Sequence, residues 1–262
     1  MNAPETVPLF QRQRVLLAML LVAMVGLAWT YLIWMASNMT LHDSSHLARR
    51  ALMPAMTSSQ TIHVWWLIVM WAVMSVAMML PTALPMVMLF NRFWSGRHPD
   101  IDSVKPTLLL VLGYLSVWIV FGFAAALLQL WLEHLQAVTP VMGRMSNPLV
   151  GGLVLMGAGL FQLTPLKTAC LSKCRTPLMF LNTRWREGRG GSFLMGFDHG
   201  AFCLGCCWAL MLVMFVAGVM NLLWMAALAA LMLAEKIVPK GEALAQITGW
   251  GLMGCGVAMI LA

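Results

Sequence analysis

The sequence predicts an all-α fold, a polytopic transmembrane helix bundle of about seven helices. Three observations predict it. Of 262 residues, 61% are hydrophobic and only 10% are charged, and mean hydropathy is +0.84; a soluble domain carries about 25% charged residues. The apolar residues gather into runs near the roughly 20 residues that cross a bilayer. The basic residues fall in short connections between those runs, where they orient a membrane protein. We therefore read residues 1–262 as a single integral membrane domain in the lipid bilayer. The net charge of +7 is a topology signal and not a nucleic-acid footprint.

Each element follows from the same pattern. Residues 1–12 form a short polar tail. Val15 to Met35 is the first span; its apolar run exceeds the roughly 7–15 residues of a signal-peptide core, so it is kept as a helix. A polar loop runs from Ser37 to Thr61. His63 to Phe90 is the second span, with Pro81 and Pro85 expected to kink or end it. Thr107 to Trp131 is the third, and Leu149 to Leu166 the fourth, with Pro148 suited to its first turn. A basic loop covers 167–191. Phe193 to Gly218 is the fifth span. A tight turn is expected at Gly218–Asn221, because the apolar run continues too far for one crossing. Leu222 to Ala234 is a short sixth span, and Ala243 to Leu261 the seventh. This count places thirteen lysines and arginines on one side and three (Arg49, Arg50 and Arg144) on the other. The asymmetry puts the amino terminus in the cytoplasm.

The fifth span carries an unusual set of side chains for hydrocarbon: His199, Cys203, Cys206 and Cys207. Ionisable groups are costly there and mark function. At about 100° per residue, His199, Cys203 and Cys206 fall within roughly 60° of one another, with Cys207 at the edge of that face. Thiolate and imidazole are ligands for soft metals. His199 and Cys206 lie about 10 Å apart along the axis, too far to share one ion. The stripe therefore reads as adjacent two-ligand steps completed by other helices, not as a closed zinc site. Aligned thiols also suit disulfide chemistry. Gly196, Gly200 and Gly205 would let another helix approach closely.

Two further groups extend the pattern. Cys170 and Cys174, at i,i+4 on any helix, face one way beside Lys167, Lys173 and Arg175, which favour thiolate. On the opposite side Met35, Met39, His42 and His46 recur at helical spacing if the first helix continues outward, and thioether with imidazole fits copper. Bland readings stand beside these: a buried cysteine is a small hydrophobe and methionine fills irregular cores. The 25 methionines and the Met70/Met74/Met78 stripe are read first as packing, with thioether ligands for Cu(I) as the alternative. Asp198 either orients His199 or caps the helix entry. Glu235-Lys236 reads as a boundary ion pair or as snorkelling side chains. Cys255 stands alone. No phosphate-binding loop and no haem-attachment motif appears, so no nucleotide is expected as a partner.

Several segments together resemble a known family. They are Ala77-Met78-Met79-Leu80-Pro81, Gln162 to Lys167, Cys170-Leu171-Ser172-Lys173-Cys174-Arg175, Gly196 and Gly200 ahead of Cys203-Leu204-Gly205-Cys206-Cys207-Trp208, Met211, and Glu235-Lys236. The pattern, over about residues 65–240, is similar to the bacterial predicted metal-binding integral membrane proteins, domain of unknown function 2182. The resemblance implies metal binding by the cysteine segments. The leading expectation is a bacterial inner-membrane protein that binds and passes a thiophilic metal, foremost Cu(I), with zinc or another soft metal also fitting the donors. Its partner would be a metallochaperone or a membrane metalloenzyme. The alternatives are a membrane thiol–disulfide oxidoreductase using Cys203/Cys206 and Cys170/Cys174, and a structural subunit of a membrane complex.

Overall fold

The computed structural model describes residues 6–43, 60–98, 102–139 and 143–262. Among these residues the chain is a bundle of α-helices without a β-sheet: α1 (Thr6–Asp43), α2 (Gln60–Arg97), α3 (Val104–His134), α4 (Pro148–Gln162), α5 (Pro165–Arg175), α6 (Pro177–Arg184), α7 (Gly188–Ala217), α8 (Leu222–Ile237) and α9 (Gly241–Leu261). Five of the described helices, α1, α2, α3, α7 and α9, are long and apolar enough to cross a membrane. The pair α4–α5, bent by 63°, makes a sixth if it counts as one span. The chain is a multi-pass membrane protein. Every expected span has a helix in place. The short sixth is α8, whose 16 residues rise about 24 Å against a hydrocarbon core of about 30 Å.

Three boundaries differ from the sequence reading. Helix α1 starts at Thr6, inside the expected tail, and runs to Asp43. Helix α2 continues through Pro81 and Pro85 to Arg97. Pro81 has no N–H for the Ala77 carbonyl, and the indole Nε1 of Trp29 on α1 donates to that oxygen at 3.2 Å. A neighbouring helix thus satisfies a backbone group that hydrocarbon would leave stranded. The expected loop 167–191 contains α5 and α6. The Thr164 side chain caps α5 by accepting from Lys167 N, Pro165 opens it, and Pro177 opens α6; proline at the first position costs no hydrogen bond there.

Helix α7 is the centre of the bundle, with α3 along one side and α4, α5 and α8 around it. Gly113 on α3 and Gly196 on α7 set the closest crossing. A Cβ on Gly196 would run into the Leu110 carbonyl, and one on Gly113 into the Phe193 carbonyl. Gly200 continues the contact, against the Tyr114 carbonyl. This approach holds the His199–Cys203 face against Tyr114. At the other end α7 stops at Ala217. Gly218 takes φ +100°, and Asn221 caps α8 by accepting from Trp224 N. The turn falls where the sequence places it. Helices α1 and α9 are peripheral and expose large apolar side chains such as Leu27, Trp34, Ile247 and Trp250, as helices facing lipid do.

Candidate metal centre

The three cysteines of α7 are buried side by side. The sulfurs of Cys206 and Cys207 lie 3.3 Å apart, and the Cys206 thiol donates to the Cys203 carbonyl at 3.1 Å. Cys174 of α5 faces them, with its thiol near those of Cys203 and Cys206. Sulfurs from two helices therefore face one another, Cys174 from α5 and Cys203 and Cys206 from α7, with Cys207 beside Cys206. The α5 face that packs on α7 explains this. Lys167, Cys170, Leu171 and Cys174 follow i, i+3, i+4, i+7 spacing and form one stripe. Cys170 does not join the cluster: its Sγ lies over Gly205, where an added Cβ would meet it at 2.9 Å. Among the described residues no three His, Cys, Asp or Glu side chains are arranged to hold one ion.

Besides Cys174, Cys203 has three neighbours from other helices: Lys236, Tyr114 and Thr82. Lys236 Nζ, from α8, donates to Cys203 Sγ at 2.9 Å and to Thr82 Oγ1 at 2.9 Å. The Tyr114 hydroxyl lies 3.1 Å from the same sulfur and 2.9 Å from the Met79 carbonyl. Thr82 donates its proton to that carbonyl at 2.8 Å. These residues lie outside the expected ligand set, and local spacing cannot reach them: α2, α3 and α8 are brought to Cys203 only by tertiary packing. Lys236 and Glu235 appear in the sequence pattern, but they neither pair with each other nor snorkel.

Glu235 instead meets Lys167, Nζ to Oε2 at 2.6 Å, and both side chains are buried. Lys167 also donates to the Cys206 carbonyl at 2.7 Å, and Gln162 Nε2 donates to Glu235 Oε1 at 2.9 Å. Arg175 ties the end of α5 to α8 through the Glu235 and Pro239 carbonyls. Lys167 and Lys236 are thus not loop charges facing water, as the topology count treats them. The basic asymmetry survives without them.

His199 stands one turn from Cys203. Its ring sits between Tyr114 and Phe180, with centroids 5.8 and 5.4 Å away, and its buried Nδ1 has no hydrogen-bond partner. Asp198 does not orient it: its carboxylate is taken by Arg184 and Arg186, each at 3.2 Å. Met195, one turn further back, accepts the Arg186 backbone N–H on its sulfur at 3.3 Å. Met70, Met74 and Met78 are packed in the core, and Cys255 is exposed on α9. Of the outer stripe, Met35 is buried. The side chains of Met39 and His42, and all of His46, lie outside the described residues, as does the side chain of His63.

Fold and site together define a multi-pass helical membrane protein with a buried thiol cluster at its central helix. The PpoB2 family, described as a copper chaperone, matches residues 68–259, and the chain belongs to that family. Its role is copper-related. The matched span holds the four clustered cysteines, His199, Lys167, Glu235 and Lys236, and leaves out Met35, Met39, His42 and His46. No curated protein and no solved structure matches the chain.

Proposed function

We propose that this chain binds Cu(I) on the thiols of Cys174, Cys203, Cys206 and Cys207 and passes it on within a bacterial inner membrane. The observation that carries the reading is the buried, adjacent set of Cys203, Cys206 and Cys207 thiols on α7, faced by Cys174 of α5, in a chain of a copper chaperone family. Cu(I) takes soft donors, and two thiolates suffice for it. Transfer works best from such an open arrangement, since an incoming thiol can displace an outgoing one without dismantling a closed cage. His199, with an orphaned ring nitrogen, and Met195 continue the same α7 face toward the end that carries Arg184 and Arg186. Buried Met211 and Met214 continue the helix in the other direction. The segments that build the cluster are those carrying the resemblance to the domain of unknown function 2182 proteins.

The test is metal content. Protein purified anaerobically in detergent is expected to bind at least one Cu(I), and Cys203→Ser with Cys206→Ser to lose most of it, because serine keeps the size but gives up a soft ligand. An unchanged stoichiometry would move the site elsewhere. One observation favours a second reading: a lysine ammonium on a cysteine sulfur also activates a thiolate for exchange. A Cys203–Cys206 disulfide that cycles with a dithiol or quinone partner, together with unchanged copper, would select the oxidoreductase.

For orientation we propose seven crossings with the amino terminus in the cytoplasm. The basic residues Arg97, Arg184 and Arg186 support it, since they gather at one end of the bundle: Arg97 lies 4.1 Å from the Trp185 ring, beside the His98–Glu187 pair at 3.1 Å. Reporter domains fused at Arg186 and after Ala262 should then report opposite sides. Both reporters on one side would remove a crossing, α8 first.

A further inference from the structure

Copper binding by the thiols leaves one feature without a role: a buried lysine placed on a sulfur. Lys236 lies on α8, and its hydrogen bonds go to Cys203 Sγ and Thr82 Oγ1, each at 2.9 Å. A cation buried in this way needs a counter-charge. The adjacent carboxylate, Glu235, is turned away to Lys167 and Gln162. Arg175, a further cation near this end of α8, bonds backbone carbonyls. The acidic groups left to face Lys236 are the Cys203 thiol and the Tyr114 hydroxyl beside it, and of the two a thiol ionises more readily than a phenol.

We propose that Lys236 is a specificity-determining residue that makes the cluster favour a monovalent soft ion, Cu(I) or Ag(I), over a divalent one such as Zn(II) or Cd(II). The proposal rests on the thiol cluster being the copper site. Charge balance carries it. Thiols lose their protons when they ligate a metal. Two thiolates with a monovalent ion carry one net negative charge, which one ammonium neutralises. Two thiolates with a divalent ion are neutral, which leaves Lys236 charged, buried and unpaired. A third thiolate would restore neutrality only by taking the proton from one more buried thiol, which burial disfavours. Repulsion between the ammonium and the bound ion also scales with the ion's charge, and a buried site in low dielectric magnifies the difference. Lys236 touches a ligand sulfur, so it acts through the ligand's charge and not as a ligand.

The experiment measures Cu(I) and Zn(II) affinities of the full-length protein by chelator competition, anaerobically in detergent. Wild type is compared with Lys236→Met, Lys236→Gln and Lys236→Arg. Loss of the charge should lower the Cu(I)/Zn(II) affinity ratio about tenfold or more, and Lys236→Arg should restore most of it. Lys236→Gln serves if the methionine variant does not fold. A folded charge-removing variant whose ratio equals that of wild type overturns the proposal, as does an arginine variant shifted as far as the neutral ones, since shape and not charge would then be responsible. Failure of wild type to bind Cu(I) on the cysteines is a separate result. It would remove the proposed site itself, whereas intact binding with an unmoved ratio removes only the role of Lys236.

Discussion

Two buried lysines flank α7, and their surroundings are opposite. Lys167 is closed in: a carboxylate at 2.6 Å, a backbone carbonyl at 2.7 Å, and a glutamine completing the carboxylate's own bonds. Lys236 is open: a hydroxyl and a thiol, both at 2.9 Å, and no carboxylate among its hydrogen bonds. The residues Glu235 and Lys236 are neighbours in sequence, yet one completes the first arrangement and the other creates the second. A saturated buried pair ties α5, α7 and α8 together, while Lys236 has no carboxylate and, in the role proposed above, is neutralised by a copper-bound thiolate.

Stability measurements can break or sharpen this contrast. Lys167→Met should have the largest effect, about 3–5 kcal/mol, because it strands the Glu235 carboxylate in the interior. Adding Glu235→Met should recover most of that loss, since an apolar pair of similar volume replaces the ions. Lys236→Met should cost less, about 1–3 kcal/mol. Thr82 keeps its bond to the Met79 carbonyl, and Cys203 keeps Tyr114 as a neighbour. Thermal unfolding in detergent reads all three. Equal losses for Lys167→Met and Lys236→Met would abolish the distinction between lock and site.

Much of this arrangement was legible in the sequence, and the rest for a physical reason was not. Periodicity within one helix aligns Cys203 and Cys206, marks Gly196 and Gly200 as a close-approach surface, and places the turn at Gly218–Asn221. It carries no information on how one helix is rotated against another. The approach of Cys174, and not Cys170, to Cys203 and Cys206, and the pairing of Lys167 with Glu235 across 68 residues, are set by tertiary packing. One signal was available and overridden by charge: Thr164-Pro165 is a helix start, and the α5 stripe of Lys167, Cys170, Leu171 and Cys174 already marks a face that packs. His199 shows the converse. Its spacing joins it to the cysteines, yet its ring packs between two aromatic rings one turn away.

The most direct test of the central claim, that the clustered thiols are the copper donors, is X-ray absorption at the copper edge on full-length protein loaded anaerobically with one equivalent of Cu(I). The account predicts a first shell made of sulfur alone in the wild type. In Cys203→Ser with Cys206→Ser it predicts loss of that shell or replacement of sulfur by lighter donors. A wild-type first shell dominated by nitrogen or oxygen, or a spectrum unchanged in the double variant, would contradict it.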